Sequence, residues 1–242
     1  MEQCQRTYVA RVPIDYVRAV RQHEEYCRTL RKCGADVRTM AINRDLPDCA
    51  FIEDTAVVLD EVAVLASMGT ASRQTEPAGV ELEVRKYREV HRVEAPATME
   101  GGDVLRVGRK LLVGLSSRTN PAGVKALEAV VRRYGYNVVS VPVSRCLHLK
   151  TACTALPDQS LLVNLAWLDV GVLQGFDLVT VPKAEPWAAN VALVGTSVCV
   201  AADHVRTADI IRERGFHVEI IDLSEFAKAE GGVSCLSLLF PP

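Results

Sequence analysis

A thiol, an imidazole and several carboxylates head similar segments of this chain at similar intervals. Cys235 lies in the run Gly231-Gly232-Val233-Ser234-Cys235-Leu236-Ser237-Leu238-Leu239-Phe240. Reading backward come Ala189-Asn190, His148, Glu100, and then Asp48 with Glu53-Asp54, at steps of 45, 42, 48 and 52 residues. A thiolate nucleophile, an imidazole acid–base and an orienting carboxylate form a triad by role. Each has an ordinary reading when taken alone. A cysteine in an apolar run is a small core residue, a histidine between leucines is a satisfied core residue, and an acid before Gly101-Gly102-Asp103 belongs to a turn. It is the conjunction that argues for catalysis. Cys153 is a rival thiol close to His148, but alternation places it in the strand after His148, packed beside the site. His23, His91, His204 and His217 read as surface residues.

Acids beside a thiol raise its pKa and suppress the thiolate. That cost makes sense for a cationic substrate. A guanidinium held by Asp48, Glu53 and Asp54 through charge-assisted hydrogen bonds neutralises them and favours the thiolate. Arg73 and Arg118 are then available for a carboxylate at the other end. The residues describe a zwitterionic amino acid with a guanidinium head.

Equivalent residues need equivalent scaffolding, and the chain supplies it. Each chemical residue is followed by two β-rich runs across a tight turn: Thr55–Leu59 and Val62–Ala66 across Asp60-Glu61, Val104–Val107 and Lys110–Leu115 across Gly108-Arg109, Val191–Val194 and Ser197–Ala201 across Gly195-Thr196. Such turns make hairpins. The copy after His148 is looser, with Pro157-Asp158-Gln159-Ser160 between Ala152–Leu156 and Leu161–Asn164. A helical stretch and one more strand follow in each copy; the last strands are Val37–Ile42, Glu89–Glu94, Val138–Val143, Leu178–Val181 and Val218–Ile221. Asn120 caps a helix that Pro121 opens and Gly135 ends. Pro77 opens another, Val205, Ala208, Ile211 and Gly215 mark a third, and Asp15, Tyr16, Val20, Cys27, Leu30 and Gly34 mark one near the N-terminus. The fifth copy is split: Cys235–Phe240 supplies its first strand, Thr7–Val12 its second, and Asp15–Ile42 its helix and last strand. Regular self-similarity of this kind predicts a ring, here of five ββαβ modules with the strand starts aimed at one central channel. Two unrelated α/β domains, or a doubly wound sheet, are the alternatives; no Gly-x-Gly-x-x-Gly follows a strand, and the hairpins argue against purely parallel pairing.

The 242 residues are 49% hydrophobic and 24% charged, without a linker or low-complexity run, so residues 1–242 read as one catalytic domain. No apolar stretch reaches the ~18 residues of a membrane span, and Met1-Glu2-Gln3-Cys4-Gln5-Arg6 has no signal-peptide core. A net charge of −2 gives no footprint for nucleic acid; Arg132-Arg133 and Arg31-Lys32 are solvated helix faces. The eight cysteines are scattered without a Cys-x-x-Cys pair, which reads as reduced thiols in a cytoplasmic protein with no zinc-type metal site.

The motifs resemble those of the dimethylarginine dimethylaminohydrolases, within the guanidino-modifying superfamily that includes arginine deiminases and amidinotransferases. They are Leu46-Pro47-Asp48-Cys49-Ala50-Phe51-Ile52-Glu53-Asp54, Ala71-Ser72-Arg73, Glu100-Gly101-Gly102-Asp103-Val104-Leu105, Val113-Gly114-Leu115-Ser116-Ser117-Arg118-Thr119-Asn120, His148-Leu149-Lys150-Thr151, Ala188-Ala189-Asn190 and Ser234-Cys235-Leu236-Ser237-Leu238. The resemblance implies a pseudo-fivefold α/β propeller whose fifth module is closed by both termini. It implies Cys235 as nucleophile on the guanidinium carbon, His148 as proton donor to the leaving amine and later activator of water, and Glu100 as the acid that orients it. It implies Asp54 as a guanidinium-binding carboxylate, with Asp48, Phe51, Glu53 and Ala229 also against the substrate, and Arg73 and Arg118 on its carboxylate. The products are citrulline and an amine, through a thiouronium on Cys235, with no cofactor and no metal.

In one respect the chain departs from that family. A long mobile lid follows the family's N-terminal strand, whereas here Arg11-Val12-Pro13-Ile14 runs almost directly into the helix at Asp15. An open mouth, or one covered by a partner subunit in a homo-oligomer, is the expectation. The alternatives to methylarginine hydrolysis are an arginine deiminase or a hydrolase of another guanidino acid and, in a different class, a guanidino-ligand binding protein without turnover. Binding alone needs no nucleophile, which favours an enzyme.

Overall fold

A computed structural model describes Met1 and residues 3–241, so Glu2 and Pro242 of the 1–242 chain lie outside the described residues. Four three-stranded sheets follow one another along the chain. The first contains β1 (Ala56–Val58), β2 (Val62–Leu65) and β3 (Glu89–Arg92), with α2 (Glu76–Val84) before β3; α1 (Tyr16–Lys32) precedes them all. The second contains β4 (Val104–Val107), β5 (Lys110–Leu115) and β6 (Asn137–Pro142), with α3 (Pro121–Val131). The third begins after α4 (Leu149–Ala152) and contains β7 (Cys153–Ala155), β8 (Leu161–Val163) and β9 (Leu178–Thr180). The fourth contains β10 (Ala192–Val194), β11 (Ser197–Ala201) and β12 (His217–Ile221), with α5 (Val205–Glu213); α6 (Ser224–Ala227) follows. In every sheet the middle strand is antiparallel to the first and parallel to the third.

The repeat follows from local chemistry. Gly108 and Gly195 sit in the hairpin turns at φ +58° and +60°, where a side chain is strained. The residues between are mostly Val and Leu, whose branched side chains suit a pleated, buried surface. Apolar clusters fill the seams between neighbours. One packs the first sheet on the second, another the second on the third, and a third the third on the fourth. A fourth cluster joins β10 and β11 to α1 and Phe226, and a fifth joins Met40, Ile42 and Leu238 to the first sheet. The seams close on themselves, and the chain is a pseudo-fivefold α/β propeller. Its first strands and residues 237–239 surround a narrow axial cavity of about 240 Å³.

The structure corrects the sequence reading at three places. In the third copy the helix is reduced to a 3-10 turn, Val170–Leu173, held by the Asp169 side chain and flanked by Gly175 at φ +90°. His204, read as a surface residue, is buried at the start of α5 beside Asp203. The fifth sector has α1 but no paired strands: neither Thr7–Val12, Val37–Ile42 nor Cys235–Phe240 enters a ladder. The backbone N–H groups of Thr7, Tyr8 and Val9 all donate to Glu230 Oε1, so a side-chain carboxylate has taken the place of a neighbouring strand. A groove of about 2100 Å³ borders the segments 37–42 and 236–241, and Tyr16 and Val20 of α1, both exposed, line it.

Asn120 tests the local account. Its Oδ1 accepts from Gly123 N–H at 2.8 Å as the cap of α3 and from Thr98 N–H at 3.2 Å, while its Nδ2 donates to Pro96 O at 3.0 Å. Asn120→Ala is expected to lower stability by about 1–2 kcal/mol, read from the midpoint of urea unfolding; an unchanged midpoint would remove the cap from the account of this helix.

Candidate active site

The chemical residues stand just ahead of the first strands, where short turns aim their side chains inward. Glu53 and Asp54 lie in a 3-10 turn, Ile52–Thr55, that packs against the turns Gly101–Asp103 and Ser234–Leu236. Glu100 and His148 immediately precede the second of these turns and α4. His148 Nε2 lies 2.7 Å from Glu100 Oε2, and its Nδ1 lies 3.7 Å from Asp54 Oδ1. All three side chains are buried. A Cβ on Gly102 would sit 2.6 Å from Asp54 Oδ1 and 2.7 Å from His148 Nδ1, so only glycine permits this approach.

Further contacts fix these groups. Glu100 Oε1 accepts from Gly69 N–H at 2.9 Å, and the Glu100 N–H donates to Thr119 Oγ1 at 3.1 Å. Asp54 Oδ2 accepts from Arg73 Nη1 at 2.7 Å, whereas Asp54 Oδ1 is buried without a hydrogen-bond partner. Arg118 presents a second orphan: its buried Nη1 has no hydrogen-bond partner and stands 4.0 Å from Glu100 Oε1. An unpaired carboxylate oxygen and an unpaired guanidinium nitrogen are costly to bury. Together they fit a ligand bearing both charges.

Cys235 is half-buried, and its Sγ accepts from Gly232 N–H at 3.3 Å. A hydrogen-bond lattice holds the residue before it. Ser234 Oγ donates to Glu53 Oε2 at 2.7 Å, Ser234 N–H donates to Asn190 Oδ1 at 3.1 Å, and Asn190 Nδ2 donates to Ser234 Oγ at 3.0 Å. Lys150 Nζ donates to Glu53 Oε1 at 2.6 Å, and Asn190 Nδ2 also reaches Lys150 O at 2.9 Å. Both oxygens of Glu53 therefore have protein partners. Asp48 is occupied as well: both its oxygens accept from the Gln5 N–H, at 3.0 and 3.3 Å, so the N-terminal segment lies over it. Phe51 is buried, with its carbonyl on Arg73 and its ring against Gly231, and Ala229 is buried in the turn after α6.

These surroundings set the protonation states. Burial pushes the Cys235 thiol up to about 12, helped by the charges of Glu53 and Asp54 and opposed by Gly232 N–H and Lys150. For His148 burial works downward, but Asp54, the hydrogen bond to Glu100 and the charge of Asp103 outweigh it and raise the imidazole to about 9. Burial would raise Asp54, yet His148 and Arg73 hold it below its ordinary value. These surroundings favour a thiol at Cys235 and an imidazolium at His148. Asp54, Glu100 and His148 also bring one donor atom each within 4.8 Å of one another, a spacing that could surround a metal ion. The His148–Glu100 hydrogen bond already engages one imidazole nitrogen, so the set reads more directly as an acid–base pair.

The structure brings Glu100, His148, Asp54 and Arg118 together, with Cys235 within electrostatic range of Glu53 and Asp54. Cys153 is buried at the start of β7, as expected for a packing residue. Sequence reasoning missed Glu76, whose carboxylate grips Arg73, and the Lys150–Glu53–Ser234–Asn190 lattice. Lys150 and Asn190 stand within quoted motifs, and that adjacency was the one signal available. Glu76, at the first position of α2, gave no signal separable from an ordinary first-turn acid.

Comparisons with known proteins bear on the same residues. A family model described as "N,N dimethylarginine dimethylhydrolase, eukaryotic" matches residues 3–168. The N(G),N(G)-dimethylarginine dimethylaminohydrolase of Streptomyces coelicolor is 39% identical over 234 residues, covering 96% of this chain and 90% of that protein. The protein of that name from Pseudomonas aeruginosa is 34% identical over 228 residues, covering 93% of this chain and 90% of its own. A solved structure of a cysteine-to-serine DDAH variant from Pseudomonas aeruginosa, complexed with citrulline, superposes with a TM-score of 0.90 at 33% identity, over 94% of this chain and 90% of that one.

The raised His148 value has a measurable consequence. An imidazole NMR titration should find its midpoint near pH 9, with Glu100→Gln and Asp54→Asn each lowering it. The folded state keeps a proton that the unfolded chain releases near 6.5, so this stabilisation is complete below that pH and fades as pH rises through about 9. A midpoint at or below 6.5 would contradict the electrostatic account.

Proposed function

The chain belongs to the dimethylarginine dimethylaminohydrolase family, and from that premise we infer that it hydrolyses Nω-methylated arginines to citrulline and a methylamine. The observation that carries this reading onto these residues is the buried Asp54 Oδ1, which has no hydrogen-bond partner and lies 3.7 Å from His148 Nδ1, an acceptor suited to a cationic head. Arg118, with its own unpaired nitrogen, suits the substrate carboxylate. We assign residues 1–242 to one catalytic domain, and eight cysteines without a disulfide support a reducing, cytoplasmic setting. Among the described residues no helix is long and apolar enough to cross a membrane.

The chemistry follows from the charges. A guanidinium entering beside Asp54 offsets the acids that hold the Cys235 proton on, which lowers the thiol pKa at the moment attack is required. The Cys235 thiol releases its proton to solvent, and the Sγ thiolate forms a bond to the guanidinium carbon. The carbon–nitrogen bond to the methylated nitrogen breaks as His148, already protonated, gives that nitrogen its proton, and the amine leaves. The carbon is then held as a thiouronium on Cys235. His148, now neutral, takes a proton from water; the hydroxide adds to the carbon, the carbon–sulfur bond breaks, the added hydroxyl gives its proton to the departing sulfur, and the ureido product leaves with the Cys235 thiol and the His148 imidazolium restored. Glu100 keeps the imidazole oriented throughout and stabilises its cation. Asp48 suits the substrate amino group, for which Gln5 N–H is then the competitor.

A panel of guanidino compounds assayed for ureido product tests the substrate class, with methylarginines expected to lead. Turnover of unmethylated arginine alone would make the protein a deiminase, and ligand binding without product would make it a binding protein. Cys235→Ser should abolish turnover with the fold intact, Cys153→Ser should keep most of it, and acid quench should trap an adduct on the Cys235 peptide. Asp54→Asn should cost on the order of 10–100-fold in kcat/KM, the loss of a charge-assisted hydrogen bond.

A further inference from the structure

Cys235 stands in the turn Ser234–Leu236, and the chain around it is held from two directions. Glu53 and Asn190, in the turns ahead of β1 and β10, grip Ser234, the residue before the thiol. The second hold comes from α1. The Tyr26 hydroxyl donates to Val233 O at 3.0 Å and lies 2.7 Å from Ser237 Oγ. A phenol has one proton to give. A carbonyl can only accept, so that proton goes to Val233, and the Ser237 hydroxyl donates back to the phenol oxygen. Val233 and Ser237 stand two residues before and two residues after Cys235. One oxygen therefore stitches together both ends of the segment that carries the thiol. Tyr26 is 0% exposed, in an apolar cluster with Val233, Leu236 and Phe226 against which Cys235 also packs. A phenylalanine would fill that space without burying a polar group; the hydroxyl is there for its two partners.

We propose that Tyr26 is a positioning residue for the nucleophile: its hydroxyl holds Val233 and Ser237 at a fixed separation and so sets the direction in which Cys235 Sγ faces the guanidinium carbon. The segment needs such a hold. Glu230 takes φ +62°, a conformation that side chains seldom adopt, and Gly231 and Gly232 follow it with the freest backbone available. A loop of that composition has no bearing of its own, and a small misplacement of a reacting atom is costly. The helix that supplies the hold is itself anchored to the same stretch of chain. Asp15 N–H, at its N-cap, donates to Glu225 Oε2 at 2.8 Å. Gln22, one helical turn before Tyr26 and on the same face, donates from Nε2 to Ser224 Oγ at 2.9 Å and accepts from Glu225 N–H at 3.0 Å. Residues 224–237 thus run along α1 from its cap to Tyr26, and Tyr26 is the contact that spans the thiol.

The role rests on the guanidino-hydrolase reading, and alkylation of Cys235 by iodoacetamide, which needs no substrate, separates the two. Tyr26→Phe keeps the ring and removes the hydroxyl. It is expected to lower kcat on an Nω-methylarginine about 10-fold with KM little changed, since substrate contacts are untouched. Ser237→Ala removes the other half of the bracket and should lower kcat in the same sense. The double variant should be no slower than Tyr26→Phe alone, because both act through one bracket. Leu30→Val, on the same helix and in the same cluster, is the control for stability alone: it should lower the urea midpoint and keep kcat. Iodoacetamide should label the Cys235 peptide several-fold faster in Tyr26→Phe than in the wild type or in Leu30→Val, because a loosened turn exposes Sγ. Unchanged kcat, unchanged labelling, or the same two changes in Leu30→Val would each overturn the proposal. Ser237→Ala carries both measurements if Tyr26→Phe does not fold. A wild type that turns over no guanidino compound would sink the substrate assignment and leave the labelling rates to decide the bracket.

Discussion

A buried carboxylate must meet a donor or lose its charge, and the centre of this molecule buries six of them: Asp48, Glu53, Asp54, Glu76, Glu100 and Asp103. Much of the architecture follows from satisfying that demand. Asp103 takes hydroxyls from Ser116 and Thr119 and the N–H of Leu149, which ties the second module to the start of α4. Glu53 takes Lys150 and Ser234, Glu76 takes Arg73, and Glu100 takes Gly69 N–H and the imidazole. Each pairing joins elements that the apolar seams alone would leave free to slide. The pairing is incomplete only at Asp54 Oδ1 among the oxygens of these six. That oxygen lies where an incoming cation would complete the set, so the same constraint that organises the fold also defines what it can bind.

The electrostatic field from these acids works on the two groups that move protons. It lifts His148 to about 9 and adds to the burial that carries Cys235 to about 12, so at neutral pH the site has an acid ready and a nucleophile silenced. A silenced thiol is protected from adventitious oxidation and alkylation. Substrate charge then acts as a switch, because a cation at Asp54 offsets the part of the shift that the acids contribute. Lys150, which opposes that field while holding Glu53, keeps the penalty from growing further.

Much of this was legible in the sequence because the repeat is local. The hairpins of the second and fourth modules lie where Gly108-Arg109 and Gly195-Thr196 place them, and Asn120 and Pro121 begin α3 as capping chemistry requires. The triad's Glu100 and His148 meet because both stand at the same point of successive modules. What was not legible depended on distant partners. Thr7–Val12 alternates as a strand would, yet its donors go to Glu230, more than 200 residues away. Tyr16 and Val20 have helical spacing, but what covers them is a tertiary matter. Arg73 and Arg118 look equivalent as letters, and only the carboxylate of Glu76 distinguishes them.

The split fifth sector bears on how the protein becomes active at all. Asp15 N–H meets Glu225 and Tyr26 hydroxyl meets Val233 O, contacts spanning 210 and 207 residues. Closures over such separations carry the largest chain-entropy cost and belong to the late, slow part of folding. Cys235 sits in that sector, one residue from the Ser234 that Glu53 and Asn190 hold, while His148 and Glu100 belong to modules built from contiguous chain. The acid–base half of the site can therefore form while the ring is open, and the nucleophile arrives only with closure. A nascent or partly opened chain is by this order an inert one, and the covalent step is reserved for the finished ring.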